Sequence, residues 1–244
     1  MERNETRYPE AFSRTQMLLG AEAMERLRQA HVLVFGVGGV GSFVVESLAR
    51  CGVGALTLVD GDVVAPSNLN RQIHATVATV GRKKVDVMRE RILSVNPGCR
   101  VTPIQHFYLP DDDGGIITGA FDYVVDAIDT VSAKLDIVQK AQVLSVPVIS
   151  CMGTGNKLHP ELLRLADIYE TSVCPLCRVM RSELRKRGVK RLRVVYSQEI
   201  PLTSKEPPAE QTTRRATPGS ACFVPPAAGL LIASEVVQTL TGTH

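Results

Sequence analysis

The chain has 244 residues, of which 44% are hydrophobic and 22% charged, and its net charge of +3 is too small to indicate a nucleic-acid-binding protein by itself. The longest apolar run, residues 224–234, is shorter than the roughly 18 to 20 residues that span a bilayer, and residues 1–12 lack the apolar core of a signal peptide. Six cysteines in a chain of this length do not indicate a dense disulfide framework, so we expect a protein of the reducing cytoplasm without a membrane span.

The first half of the chain alternates short apolar strands with helices. Apolar periodicity predicts helices and strands in the order helix 21–29, strand 31–35, helix 42–51, strand 52–60, helix 80–96, strand 99–105, strand 122–129, helix 133–144 and strand 146–150. Strands that alternate with helices in this way favour a parallel sheet covered on both faces. Residues 30–150 are therefore predicted to form a doubly wound, Rossmann-like nucleotide-binding half.

The pattern changes after residue 150. We predict strands over residues 161–170 and 191–199, a basic helix over residues 177–191 and a final helix over residues 226–240. The segment from about 200 to 220 is rich in Pro, Ser, Thr and charge, which is typical of a mobile loop. The sequence thus predicts one α/β domain over residues 1–244, with a mostly parallel sheet and a C-terminal mixed extension, residues 151–244, that binds the substrate.

A glycine fingerprint follows the first predicted strand. Gly36, Gly38 and Gly41 have G-x-G-x-x-G spacing, with Gly39 between them, directly before a predicted helix. Such glycines let the backbone approach a phosphate at the positive end of a helix. Asp60 lies 19 positions after Gly41, at the end of the next strand, where a carboxylate can accept ribose hydroxyls. These residues predict a nucleotide site and leave NAD and ATP open.

The polar residues of the segment VDGDVVAPSNLNRQIH, residues 59–74, favour ATP. They are Asp60, Asp62, Asn68, Asn70, Arg71 and Gln72, and Lys84 follows at a predicted helix start. Two cations and several amides near the glycine loop would neutralise a triphosphate, whereas a pyrophosphate held by backbone N–H groups needs less. The alternatives are turn chemistry for the two asparagines and a solvated helix face for Lys84.

Two carboxylates end the fourth predicted strand. Asp126 and Asp129 lie where doubly wound proteins bind ligands, at the carboxyl edge of the sheet. A carboxylate there could hold Mg²⁺, which prefers oxygen ligands and phosphate.

The motifs GVGGVGS, VDGD…SNLNRQIH, VGRKKVDVM and VVDAID together resemble the ubiquitin-activating-type adenylating superfamily, from Phe12 onward. The resemblance implies adenylation of a carboxylate with ATP and Mg²⁺, with Asp60 on the ribose and Asp129 on the metal. It assigns the phosphate contacts to Asn70, Arg71 and Lys84. It also matches Arg14 to an arginine that reaches the ATP of a neighbouring subunit, which implies a homodimer and a catalytic set of Arg14, Asn70, Arg71, Lys84 and Asp129.

Residues 151–197 resemble the bacterial tRNA threonylcarbamoyladenosine dehydratases. This resemblance implies ATP-dependent activation of the threonyl carboxylate of N6-threonylcarbamoyladenosine at position 37 of tRNA, followed by closure of a hydantoin ring and loss of AMP. Two alternatives stay open: an adenylyltransferase for a ubiquitin-like sulfur carrier, and a non-catalytic nucleotide-binding or redox module. The superfamily also makes sulfur-relay proteins candidate partners.

The cysteines bear on the sulfur-carrier alternative. Relatives of that kind often hold zinc with two C-x-x-C pairs, and this chain has one pair, Cys174 and Cys177, after which only Cys222 remains in the C-terminal half. A tetrahedral zinc site needs four ligands, so we do not expect structural zinc. Ring closure by a nitrogen of the substrate needs no enzyme thiol.

A basic segment supports a nucleic-acid partner. Between Arg178 and Arg193 there are eight Lys or Arg residues and one acid, Glu183. Such an excess suits contacts with a phosphate backbone. We assign tRNA contacts to Arg181, Arg185, Arg187 and Arg191. A solvated helix face or an acidic carrier protein would account for the same charges.

Overall fold

A computed structural model describes residues 9–206 and 218–243, and its centre is a seven-stranded sheet in the order β3-β2-β1-β4-β5-β7-β6. All neighbouring strands are parallel except β6 and β7, which are antiparallel. The strands are β1 His31–Phe35, β2 Ala55–Val59, β3 Arg100–Ile104, β4 Tyr123–Asp126, β5 Val148–Cys151, β6 Leu163–Asp167 and β7 Arg193–Ser197. The predicted fold, a doubly wound and mostly parallel sheet with a mixed C-terminal extension, is confirmed.

Helices cover both faces of this sheet. They are α1 Ser13–Leu19, α2 Ala21–Gln29, α3 Gly41–Arg50, α4 Lys84–Val95, α5 Val131–Val143, α6 Pro175–Lys186 and α7 Val224–Thr241. Because side chains alternate along a strand, Val32 and Val34 of β1 pack with α2, α3, α4 and α7, whereas Leu33 and Phe35 pack towards α5. No helix in the described residues is long and apolar enough to cross a membrane.

Several predicted boundaries were wrong for local reasons. The helix expected from residue 80 begins at Lys84, because a 3-10 turn and a bridge between Val63 and Lys83 precede it. The basic helix ends at Lys186 instead of 191, since Gly188 adopts a left-handed φ of 72° that stops a helix. Helix α1 was missed because none of its residues is fully buried and Leu19 alone, at its C-terminal end, packs against the core.

The expected mobile loop at about 200–220 falls largely on residues 207–217, which lie outside the described residues. Residues 200–206 and 218–220 contain neither helix nor strand. Asn156 contacts both flanks of the loop: its backbone carbonyl accepts a hydrogen bond from the Leu202 N–H at 2.8 Å, and its side-chain oxygen accepts one from the Gly219 N–H at 2.6 Å.

Candidate nucleotide site

The glycine loop connects β1 to α3, and its geometry requires glycine. Gly36 has a φ of 84°, and a Cβ there would lie 2.7 Å from the Ala127 carbonyl oxygen. A Cβ at Gly41 would lie 1.8 Å from the Gly36 oxygen. Since neither backbone atom can move away cheaply, the loop closes tightly over the first turn of α3. The N-terminus of that helix is a ready-made site for a phosphate.

The Asp60 carboxylate is bonded to the glycine loop itself. Its oxygens accept hydrogen bonds from the backbone N–H of Val37, at 2.7 Å, and of Asp62, at 2.9 Å. Burial raises the pKa of Asp60, while the nearby Lys84 charge and these two N–H groups lower it. Asp60 thus fixes the loop, and its contact with a ribose stays a prediction.

Lys84 is the first residue of α4, and its side chain is buried. Only 6% of that side chain is exposed, so the solvated-face interpretation is wrong. Its ammonium group lies 2.7 Å from the Asp62 carboxylate, which is half exposed. The pair places a cation and a carboxylate side by side, next to Asp60.

The amide cluster divides into turn residues and residues that face the glycine loop. The side-chain oxygen of Asn68 accepts from the Ala65 N–H at 3.1 Å, which is the turn chemistry expected of asparagine. Gln72 is 5% exposed, and among the described residues its side-chain oxygen has no hydrogen-bond partner. Its amide nitrogen is 3.9 Å from the position of a Cβ at Gly38. Gln72 therefore lies against the glycine loop.

Asn70 and Arg71 connect the two halves of the chain. The Asn70 amide donates to the Ser220 carbonyl at 2.9 Å, and its oxygen accepts from the Arg71 guanidinium at 2.9 Å. The aliphatic part of Arg71 comes within 3.4 Å of the position of a Cβ at Gly39. A residue 150 positions later in the chain thus meets the polar cluster at the glycine loop.

Asp126 is not an available metal ligand, which corrects one expectation. It is fully buried, with its carboxylate 2.9 Å from the Lys134 ammonium group and hydrogen-bonded to the Ser150 hydroxyl. Asp129, three residues later, is exposed in the loop before α5. Sequence reasoning missed Lys134, although its spacing from the buried Ile137 and Val138 places it on the apolar face of α5.

Arg14 lies on α1, whereas Cys222 lies two residues after Ser220, whose carbonyl accepts a hydrogen bond from Asn70. Arg14 is exposed on α1, a helix without any buried residue. Cys222 is exposed immediately before α7.

The C-x-x-C pair is buried at the start of α6. Cys174 precedes the first residue of the helix, and a Cβ at Gly153 would lie 3.8 Å from its sulfur. A hydrogen bond from the Cys177 thiol lowers the pKa of Cys174, and the same interaction raises the pKa of Cys177. The two thiols pack against the end of β5.

The C-terminal part of the basic segment lies at the end of the sheet opposite the glycine loop. Arg193 begins β7 beside Ile149 of β5, so the preceding residues 187–192 lie at the amino ends of the parallel strands. The Arg181 guanidinium donates to the Thr171 carbonyl at 2.9 Å. Arg187 pairs with Glu183 at 2.6 Å. Two of the four predicted tRNA-contact residues thus have partners within the chain, although Arg187 is exposed.

Arg185 and Arg191 are both exposed, and Arg185 stacks 5.1 Å above the ring of Tyr169. Tyr169, Arg185, Gly188, Val189 and Lys190 line a shallow depression of about 250 Å³.

The chain resembles known proteins in both sequence and structure. The model of the ThiF family matches residues 12–244. The chain is 40% identical over 238 residues to the tRNA threonylcarbamoyladenosine dehydratase of Bacillus subtilis, an alignment that covers 94% of each protein. The crystal structure of the Escherichia coli tRNA N6-threonylcarbamoyladenosine dehydratase in complex with ATP superposes with a TM-score of 0.88 at 31% identity, covering 99% of this chain and 98% of that one. The molybdopterin-synthase adenylyltransferase of Salmonella typhimurium is 39% identical over 129 residues, which is 53% of this chain and 51% of that protein.

Proposed function

The chain belongs to the ThiF family, and from that premise we propose that it is an ATP-dependent dehydratase acting on N6-threonylcarbamoyladenosine in tRNA. The observation that carries the proposal is the extent of the similarity. Proteins of that name match almost the whole chain, including the C-terminal half that would bind the substrate. The E. coli enzyme of this name has been crystallised with ATP and with AMP, which supports ATP as the nucleotide.

The proposed reaction has two steps. The threonyl carboxylate attacks the α-phosphorus of ATP, which releases pyrophosphate and forms an acyl adenylate. A nitrogen of the ureido group then attacks the activated carbonyl carbon, loses its proton, closes the hydantoin ring and expels AMP. The net change in the nucleoside is the loss of one water. Negative charge grows on the phosphate in the first step, so preorganised cations would accelerate it.

The residues around the glycine loop have the chemistry for that step. We assign the phosphates to the N-terminus of α3 together with Asn70, Arg71 and Lys84, and the ribose to Asp60. Lys84 suits the role because it is buried and held by one carboxylate, so its ammonium group has a fixed position. Asn68 and Gln72 would support this surface, the first by shaping the turn and the second through its buried amide.

The Asp129 carboxylate suits a Mg²⁺ ion. Mg²⁺ is usually held by one or two carboxylates together with substrate phosphates, so a single exposed carboxylate beside the glycine loop satisfies its preference. The bound ion would neutralise phosphate charge. Asp129 would hold it, and the chain's own cations would orient the triphosphate.

We also propose that the protein acts as a homodimer. Met17 and Leu18 of α1 are 86% and 83% exposed, which leaves an apolar surface on a helix without any buried residue. A second copy of the chain that covers this surface would bring Arg14 towards the neighbouring nucleotide site. Partnership with sulfur-relay proteins stays a prediction.

Adenylation of a sulfur-carrier protein is the second candidate. The similarity to the Salmonella adenylyltransferase favours it, but that match covers only about half of either protein. The B. subtilis dehydratase matches 94% of the chain, including the half predicted to bind the substrate, and so the tRNA substrate is preferred.

The proposal is tested with purified protein, ATP, Mg²⁺ and tRNA that carries threonylcarbamoyladenosine. We expect AMP and pyrophosphate in amounts equal to the nucleoside that loses one water, measured by mass spectrometry of digested tRNA. The same tRNA without the modification is the control and should yield no AMP. Formation of ADP and phosphate, or AMP formation that depends on a carrier protein instead of tRNA, would contradict the proposal.

A further inference from the structure

A fully buried lysine lies beneath the candidate site. Lys134 and Asp126 are both 0% exposed, and the Lys134 ammonium group lies 2.9 Å from the Asp126 carboxylate. The Ser150 hydroxyl also donates to that carboxylate. Burying two charges is costly unless each is paired and hydrogen-bonded, so an apolar pair would be the simpler way to fill this space. The contacts of this pair with the neighbouring backbone indicate a further role.

The pair holds both peptide groups of Ile128. The Ile128 N–H donates to one Asp126 oxygen at 3.3 Å, and the Ile128 carbonyl accepts from the Lys134 ammonium group at 3.0 Å. That carbonyl belongs to the peptide that joins Ile128 to Asp129. Lys134 therefore fixes the orientation of the peptide group that precedes Asp129.

The rest of the loop is fixed at its two ends. The Ala127 N–H donates to the Phe35 carbonyl at 2.8 Å, and the Ala127 oxygen packs against Gly36 of the glycine loop. The Thr130 carbonyl accepts from the Lys134 backbone N–H at 3.0 Å, which starts α5. Between these two ends, the Ile128 peptide groups are held by the buried side chains of Asp126 and Lys134.

We propose that Lys134, together with Asp126, is a positioning residue that presents Asp129 to the metal-bound nucleotide. The inference rests on the proposed function, because it assigns a supporting residue to the same site. Lys134 touches neither nucleotide nor substrate; it acts through the Ile128 peptide. Groups that orient a metal ligand in this way typically change metal affinity by about 10- to 100-fold when they are removed.

The test uses a pair variant, because Lys134→Met alone would leave a buried carboxylate without its counter-charge and could unfold the protein. Asp126→Asn combined with Lys134→Met removes both charges and keeps the side-chain volumes similar. The Ile128 carbonyl then loses its donor. Lys140→Met is the matched control: Lys140 lies on the same helix and pairs with Asp136 at 2.8 Å, away from the loop.

The measurement is calorimetric titration of the folded protein with ATP, with and without Mg²⁺, together with KM values for ATP and for modified tRNA. In the pair variant we expect the strengthening of ATP binding by Mg²⁺ to fall by about tenfold or more. ATP affinity without Mg²⁺ and the KM for tRNA should stay at the wild-type values. The Lys140→Met control should match the wild type throughout.

A folded pair variant with the wild-type response to Mg²⁺ would overturn the inference. A decrease in kcat that is fully explained by a smaller fraction of folded protein would overturn it as well. If the pair variant does not fold, Asp126→Asn combined with Lys134→Leu replaces it, since it also leaves the Ile128 carbonyl without its donor; an unchanged Mg²⁺ response there overturns the inference as well. A wild type that binds ATP without any response to Mg²⁺ would overturn the inference together with the metal assignment. A wild type that responds to Mg²⁺ but does not dehydrate the tRNA would refute the proposed function instead.

Discussion

His74, at the end of the motif SNLNRQIH, should make the protein acid-sensitive. Its ring is 2% exposed, and within residues 9–206 and 218–243 neither ring nitrogen has a hydrogen-bond partner. Burial, aided by the charges of Lys84 and Arg91, lowers the pKa of His74 from 6.5 to about 4. A protonated ring would have no hydrogen-bond acceptor and would be repelled by two cations, so the ring stays neutral in the folded protein.

The sign and size of the effect follow from linkage. Below pH 6.5 the unfolded chain binds a proton at His74 that the folded protein does not bind until about pH 4. The free energy of unfolding therefore falls as the pH is lowered through this window. At 1.36 kcal/mol per pKa unit, the loss attributable to His74 reaches about 3 kcal/mol. The carboxylates of the protein add their own acid dependence, so only the difference between two variants isolates the histidine.

Urea unfolding of wild type and His74→Phe, measured at intervals between pH 6.5 and pH 4, tests the prediction. The variant should lose about 3 kcal/mol less than the wild type over this window. His159→Gln is the control, since His159 is exposed and its pKa is raised by Glu161. Parallel curves for wild type and His74→Phe would show that the ring is charged in the folded protein and that the reasoning about its burial is wrong.

Four further changes test other parts of the account. Asp129→Ala should abolish AMP formation without lowering the melting temperature, since the residue is exposed; turnover near the wild-type rate would show that another group holds the metal. Cys222→Ser should leave dehydration unchanged, because the nucleophile belongs to the substrate, and loss of product with adenylation preserved would indicate a covalent step. Val173→Asn should raise stability by about 1 kcal/mol in urea unfolding, because Val173 has a φ of 62° that a β-branched residue adopts only with strain; an equal or lower stability would contradict this. Reversal of Arg185 and Arg191 to Glu should weaken tRNA binding and make its salt dependence shallower, with ATP affinity unchanged, whereas unchanged tRNA affinity would assign these side chains to a solvated face.

The parts of the site that depend on local geometry were predictable from the sequence. Gly36 and Gly41 are glycines because the backbone approaches too closely for a Cβ, so the residue type itself indicates the tight turn. Lys84 was expected close to a helix start, although the predicted helix began at residue 80, and its pairing with Asp62 depends on a segment outside that helix.

The parts that depend on tertiary contacts were not predictable. Asp126 and Asp129 look equivalent at the end of a strand, and only the packing of α5 shows that one of them is buried against Lys134. The bond from Asn70 to the Ser220 carbonyl joins residues 150 positions apart, and no local pattern indicates it. Helix α1 was missed because, of its side chains, Leu19 alone packs against the core, so the helix has no apolar periodicity to indicate it.

The central claim, that ATP activates the threonyl carboxylate, is tested most directly by isotope transfer. Threonylcarbamoyladenosine tRNA labelled with ¹⁸O in that carboxylate is incubated with the protein, ATP and Mg²⁺, and the released AMP is analysed by mass spectrometry. Attack of the carboxylate on the α-phosphorus followed by ring closure predicts that one labelled oxygen appears in each AMP, with none in pyrophosphate. Unlabelled AMP, or label in inorganic phosphate, would contradict carboxylate adenylation.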